Sequence, residues 1–358
     1  MDMTARRQRA EALLAECGLD ALIFFARENL RYLCGFTGSD GVLIVAAGQV
    51  LFLTDSRYTT QARAQVAADR VVEYRIQSEG IAAALREAGA QRIGFEASLA
   101  YGKVTDLCDK GASDWEWRAL REELEALRLT KEEAEGAAVE AAARLNALAF
   151  AEVLPQIGPG VVERDLALAL EFALKRLGAE EKAFDFIVAS GVRGALPHGV
   201  ASDKRLEAGE LVTIDFGCRV AGYHADETVT VAIGEVADDL RRIFDTVYAA
   251  HGKAVAAVMP GVPLAEIDRM AREHITAAGF GEFFGHGLGH GVGLEVHEAP
   301  VLSPRSKAIA REGMIFTVEP GIYLPGKGGV RIEDTILVTA AGARVLTRIP
   351  KEFRTIAV

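Results

Sequence analysis

Cysteine is scarce and unorganised: Cys17, Cys34, Cys108 and Cys218 are scattered, with no CxxC pair among them. That spacing excludes a zinc knuckle and a disulfide framework, and it suits a reducing, cytoplasmic setting. The chain carries a net charge of -11 and lacks any block of Lys and Arg. Binding to a phosphate backbone needs local positive charge, so no nucleic-acid partner is expected. Nowhere do 18 apolar residues run together, which leaves no candidate membrane helix and no membrane partner. The opening MDMTARRQRAEALLAECG is charged and amphipathic, without the apolar centre of a signal peptide. Histidine is also unevenly used, since all seven lie after residue 197.

What is present is ordinary globular composition, half apolar and a quarter charged, in 358 residues. That length predicts two domains. Up to about residue 120 the signals alternate: a helix over 4–17, strands at ALIFF (21–25), GVLIV (41–45), VLFLT (50–54) and RIGFE (92–96), and a helix-like stretch before the last. This is an α/β layer domain, placed at 1–127. Strong helix formers then fill 118–154, with Thr130 and Glu133 at capping-box spacing, so a helix is expected from near residue 131. Over 128–358 the pattern is helix pair, strands, helix pair, strands. The strands are expected at 211–218, 223–233, 314–324 and 330–339. The order hints at a duplicated half-domain.

The chemistry concentrates in this second part. His286, His290 and His297 crowd into GHGLGHGVGLEVHEAP, with glycine at 285, 287, 289, 291 and 293. Each glycine costs a helix about 1 kcal/mol relative to alanine, so this is extended chain or loop. The helical HExxH zinc motif is excluded, because Val301 stands where its second histidine would be. GIYLPGKG (321–328) nearly matches a phosphate loop, but Gly328 replaces the required Ser or Thr.

Asp215 lies inside the strand VTIDFG and Asp226 in the next strand, a short hairpin away; Glu319 ends MIFTVE and Glu333 lies in VRIED beside Arg331. Taken singly, each aspartate reads equally well as a turn or ion-pair residue. Acids inside strands are unfavourable unless something pairs them, and carboxylates forced together repel unless a cation lies between. Four carboxylates with an imidazole make a hard, oxygen-rich site suited to paired manganese, cobalt or zinc ions.

The whole set resembles the pita-bread metallopeptidases, the family of aminopeptidase P, prolidase, methionine aminopeptidase and the metal-free creatinases. LRYLCGFTGSDG (30–41) and LTDSRYTTQA (53–62) are similar to the creatinase-like N-terminal domain of the aminopeptidase P and prolidase branch. TIDFG, AGYHADET, GHGLGHGVGLEVHE, TVEPGIY and RIEDT look like the catalytic motifs in their usual order. The resemblance implies an α/β (α+β) chain whose N-terminal creatinase-like domain precedes a pita-bread catalytic domain. It puts two divalent ions, manganese first with cobalt or zinc as alternatives, on Asp215, Asp226, His290, Glu319 and Glu333. His198, His286, His297 and Arg331 become the groups around substrate and ligands. Val229 departs from the arginine that relatives often carry there, implying a local change in support of the site.

The implied reaction is hydrolysis of the bond before proline through a metal-bridging hydroxide, with Glu319 taking a proton and the histidines serving oxyanion and leaving group. Which histidine does which stays open. Helices and strands occupy most of 230–340, leaving little chain for a lid that would exclude longer peptides. The expectation is therefore aminopeptidase P, acting on peptides with proline in second position, over prolidase and over a metal-free binding protein. The family likeness also implies a homodimer.

Overall fold

The computed structural model describes residues 2–46 and 48–358. Contacts divide the chain into two compact units, Met1–Arg128 and Leu129–Val358.

The first unit is built on a six-stranded sheet ordered Arg70–Glu73, Gln49–Thr54, Val42–Ala46, Ala21–Phe24, Arg92–Glu96, Glu116–Leu120. Its central strands Ala21–Phe24 and Val42–Ala46 are buried at every position, the mark of a sheet covered on both faces. The strand Glu116–Leu120 falls in the stretch rich in helix formers. It pairs in parallel with Arg92–Glu96, so long-range pairing overrides local propensity there.

In the second unit, helices Glu133–Val153 and Glu163–Arg176 pack on strands Leu211–Val220 and Tyr223–Ile233. Helices Asp238–Ala257 and Leu264–Ala277 pack on a second sheet containing Gly289–Gly291, Ile315–Val318 and Asp334–Thr339. Helix pair over sheet thus occurs twice.

Three sequence expectations need correction. The helix expected from residue 131 begins at Glu133, and its capping box uses Glu132 and Glu135. Thr130 and Lys131 instead hold the chain extended, bridged to Met314 and bonded to the Gly313 carbonyl. The strand expected over 314–324 is two, Ile315–Val318 and Gly321–Leu324, parted at Glu319–Pro320, where proline supplies no N–H to a ladder. The strand expected over 330–339 is likewise two, Gly328–Arg331 and Asp334–Thr339, parted at Ile332–Glu333. The near-phosphate loop at 321–328 is one hairpin, Gly321–Leu324 against Gly328–Arg331.

Candidate metal centre

The long hairpin sets the first two carboxylates. Asp215 lies opposite Thr228, and Asp226 opposite Gly217. Cross-strand partners share a face, so both aspartates stand on one side of the hairpin, two positions apart. Val229, opposite Ile214, lies on the other face in the apolar core. The departure at this position therefore does not reach the carboxylates, contrary to the change of support expected there.

Glu319 and Glu333 arrive from the two strand breaks. Each is tied by its backbone to a neighbouring strand or loop: Glu319 N–H donates to the Leu288 carbonyl at 2.8 Å and Glu333 N–H to Thr228 at 3.2 Å. His290 sits in Gly289–Gly291, whose glycines are needed for close approach. A Cβ at Gly289 would lie 2.0 Å from the Thr317 carbonyl oxygen, and one at Gly291 2.2 Å from that of Ala299. Thr317 Oγ1 accepts from the His290 N–H and donates to Glu319 Oε1, both at 3.1 Å.

These elements enclose a cavity of about 400 Å³. Its lining includes Asp215, Asp226, His290, Glu319 and Glu333, with His198, His286, His297, Tyr323 and Arg331. His290 Nε2 is 3.4 Å from Glu319 and 3.7 Å from Asp226, and ligand atoms of Asp226, His290 and Glu333 all lie within 4.8 Å of one another. Asp215 Oδ1 and Asp226 Oδ1 are buried with no hydrogen-bond partner. Burial, then Asp215 and Glu319, pushes the Asp226 carboxyl well up; burial, then Asp226, does the same to Glu333. Burial also pushes Glu319 up to about 7, with Arg331 opposing and Asp215 assisting. Buried carboxylates with unsatisfied oxygens facing an imidazole fit a divalent cation, which would relieve their repulsion.

Arg331, 3% exposed, braces this cluster. It donates to Asp215 Oδ2 at 2.5 Å, to the Tyr323 hydroxyl and the Pro197 carbonyl at 3.0 Å each, and to Thr228 Oγ1 at 3.3 Å. Thr228 in turn donates to Glu333 Oε2 at 2.6 Å. Sequence reasoning missed Thr228, Thr317 and Tyr323, because hydroxyls in buried strands carry no spacing signal.

The three outer histidines differ. His286 Nδ1 faces the Gly287 carbonyl at 2.7 Å and Nε2 the Tyr323 hydroxyl at 2.9 Å. Since Tyr323 accepts from Arg331, its proton goes to Nε2 and the ring proton sits on Nδ1. Burial holds the His286 pKa down to about 4, so this ring is neutral at pH 7. His198 and His297 are exposed to the cavity and, among the described residues, their rings take no hydrogen bond; the His297 ring lies 4.3 Å from that of His290.

The model of metallopeptidase family M24 matches residues 137–340, and that of the creatinase/prolidase N-terminal domain matches 6–130. The chain belongs to metallopeptidase family M24. The metallopeptidases of this family are hydrolases that use divalent metal ions, and the creatinase-like domain ahead of the pita-bread fold puts this chain in the aminopeptidase P and prolidase branch. An Xaa-Pro dipeptidase from Bacillus anthracis is 40% identical with a TM-score of 0.96, over 99% of this chain and 100% of that one. An Xaa-Pro dipeptidase from Pyrococcus horikoshii is 39% identical over 93% of this chain and 94% of its own. An X-Pro aminopeptidase from Thermotoga maritima is 36% identical with a TM-score of 0.90, over 98% of this chain and 99% of its own.

These relatives overturn the expectation of aminopeptidase P. The inference from a missing lid fails on a physical ground. The B. anthracis dipeptidase and the T. maritima aminopeptidase both match this chain from end to end, so the amount of loop in the chain does not separate the two activities.

Proposed function

We propose that this M24 peptidase is a prolidase, cleaving Xaa-Pro dipeptides. The observation that carries the reading is the end-to-end match to Xaa-Pro dipeptidases. A cavity of about 400 Å³ supports it, lying at the small end of ligand sites. We further infer two divalent ions held by Asp215, Asp226, His290, Glu319 and Glu333. The excess of carboxylate over imidazole favours manganese, with cobalt or zinc as alternatives.

Bound there, such ions supply Lewis-acid polarisation of the scissile carbonyl and a water of lowered pKa. The chain's own groups do the rest. Glu319, which lines the cavity beside His290, would accept the proton of the attacking water and release it again. His297 and His198 have ring nitrogens available to the substrate and serve the oxyanion and the proline nitrogen. His286 works differently from the other two: with both nitrogens engaged it orients the Tyr323 hydroxyl. The bond before proline is a tertiary amide with no N–H to bind, so recognition falls to shape. Phe184, Ile187, Val200 and Val301 supply apolar wall for the pyrrolidine ring.

The test is kcat/KM for Xaa-Pro against Xaa-Pro-Yaa-Zaa, with products identified, at equal loading of manganese, cobalt or zinc. The dipeptide is expected to be strongly preferred. Preference for the longer peptide would sink the prolidase reading.

A further inference from the structure

Glu163 opens the helix Glu163–Arg176 and is 0% exposed. A glutamate in a helix's first turn ordinarily favours its own helix by facing the free N–H groups there. Glu163 does something else. Its Oε1 accepts from Ser190 N–H and Ser190 Oγ, both at 2.8 Å. Its Oε2 accepts from Arg193 Nε at 2.9 Å, Ser202 N–H at 3.1 Å and Ser202 Oγ at 2.6 Å. None of these donors belongs to the helix.

All of them belong to one segment, residues 190–202. Ser190 ends the strand Ile187–Ser190, and Ser202 lies where the segment returns to the helix start, with Arg164 N–H donating to its carbonyl at 3.0 Å. Arg193 adds a strap inside the loop, donating to the Val200 carbonyl at 2.6 Å. Between the two clamped ends lie Pro197, whose carbonyl receives Arg331, and His198, which lines the cavity. His198 has no ring hydrogen bond of its own among the described residues, so the loop backbone decides where its imidazole stands.

We propose that Glu163 is a positioning residue, whose buried carboxylate gathers both ends of the 190–202 loop and thereby aims His198 into the cavity. The energetics fit the geometry. A buried carboxylate is costly unless its oxygens are filled, and here one cation and two pairs of backbone and hydroxyl donors fill them. An amide at this position keeps the size but has one acceptor oxygen, so one end of the loop loses its anchor. Small misplacement of a reacting group is enough to cost activity steeply.

The proposal rests on His198 acting on substrate, and the test separates the two. Steady-state kinetics on Xaa-Pro are measured for the metal-loaded wild type, Glu163→Gln, His198→Ala and the double variant, with bound metal counted for each. Glu163→Gln is expected to lower kcat/KM by about 10- to 100-fold with metal content unchanged. In the His198→Ala background the same change is expected to cost nothing further. Equal losses in both backgrounds, or loss of metal in step with activity, overturn the positioning role. An inert His198→Ala overturns the role of His198, whatever Glu163→Gln does. Preference for longer peptides would instead defeat the prolidase reading and leave the cycle intact. Should Glu163→Gln fail to fold, Ser202→Ala, which removes a single hydroxyl donor, goes through the same cycle with the same two outcomes.

Discussion

Arg331 donates through Nη2 to Asp215 Oδ2 at 2.5 Å, and through Nη1 to the Tyr323 hydroxyl at 3.0 Å. One guanidinium thus holds a carboxylate of the cluster and the hydroxyl beside it at a fixed separation. Lysine cannot reproduce that fork. Arg331→Lys is expected to lower kcat/KM or metal affinity by about 10- to 100-fold, the usual cost of losing a partner behind a ligand. Calorimetric metal titration and dipeptide kinetics on one preparation measure both; an unchanged enzyme would refute the bracing role.

Asp226 is buried among like charges and has one oxygen without a hydrogen-bond partner. Asp226→Asn is expected to abolish hydrolysis and reduce bound metal, while raising the melting temperature of the chelator-treated protein by relieving repulsion. Metal should then stabilise the variant less than the wild type. A variant that keeps full metal content and activity would remove Asp226 from the centre.

Glu319, pushed up to about 7 chiefly by burial, contributes to the pH dependence of the metal-free protein alongside Asp226 and Glu333. A carboxyl whose folded pKa is raised binds its proton more tightly in the native state than in the unfolded chain. Its contribution is therefore most favourable at low pH and is lost as pH rises from about 4.3, the ordinary value, through 7. Relative to Glu319→Gln, the metal-free wild type should lose on the order of 2 kcal/mol between pH 5 and pH 8. Urea unfolding of both proteins across that range checks it, and parallel curves would contradict it.

Among the histidines, alanine at His297 or His198 should lower kcat by about 10²- to 10⁴-fold with metal retained. His286→Ala and Tyr323→Phe should each cost activity and be strongly non-additive together, since one hydrogen bond joins them. Additive losses would mean that the two side chains act separately.

Behind the cluster, Lys351 bonds Glu227 at 2.6 Å and lies 3.4 Å from Asp334. Those acids follow Asp226 and Glu333 directly in the chain. Lys351→Met leaves Glu227 buried without its cation, and Asp334 with His251 at 3.2 Å and the Thr347 hydroxyl at 2.6 Å, and should destabilise the protein by about 3–5 kcal/mol. Adding Glu227→Gln should recover part of that. A loss below about 1 kcal/mol in denaturant unfolding would show that the pair is not needed.

The central strands and the helix pairs were legible because apolar patterning is a local property: Ala21–Phe24 is a continuous apolar run, and Leu264–Ala277 repeats apolar residues at helical spacing. The helix start was misplaced because Glu132 and Thr130 offer similar capping chemistry, and a bridge from Thr130 to Met314 decided between them. Strand Glu116–Leu120 was hidden by its helix-forming residues, since only its partner Arg92–Glu96 makes it a strand. The missing-lid inference failed for a related reason: how a cleft closes depends on where segments fold to, not on how much loop is counted.

By itself the sequence determined the chemical character of this protein. Acids inside apolar strands and histidines among glycines demand a partner, and that demand is written in residue types and their neighbours along the chain. The tertiary structure alone decided how the demand is met. The hairpin register sets Asp215 and Asp226 on one face and turns Val229 to the other, and two strand breaks bring in Glu319 and Glu333. Tyr323 occupies both the arm of Arg331 and the ring of His286, and Glu163 ties a loop to a helix start. Such contacts join residues far apart in sequence, where side-chain type has no periodicity to reveal them, so only the folded chain can choose which hydroxyl, carboxylate and imidazole meet.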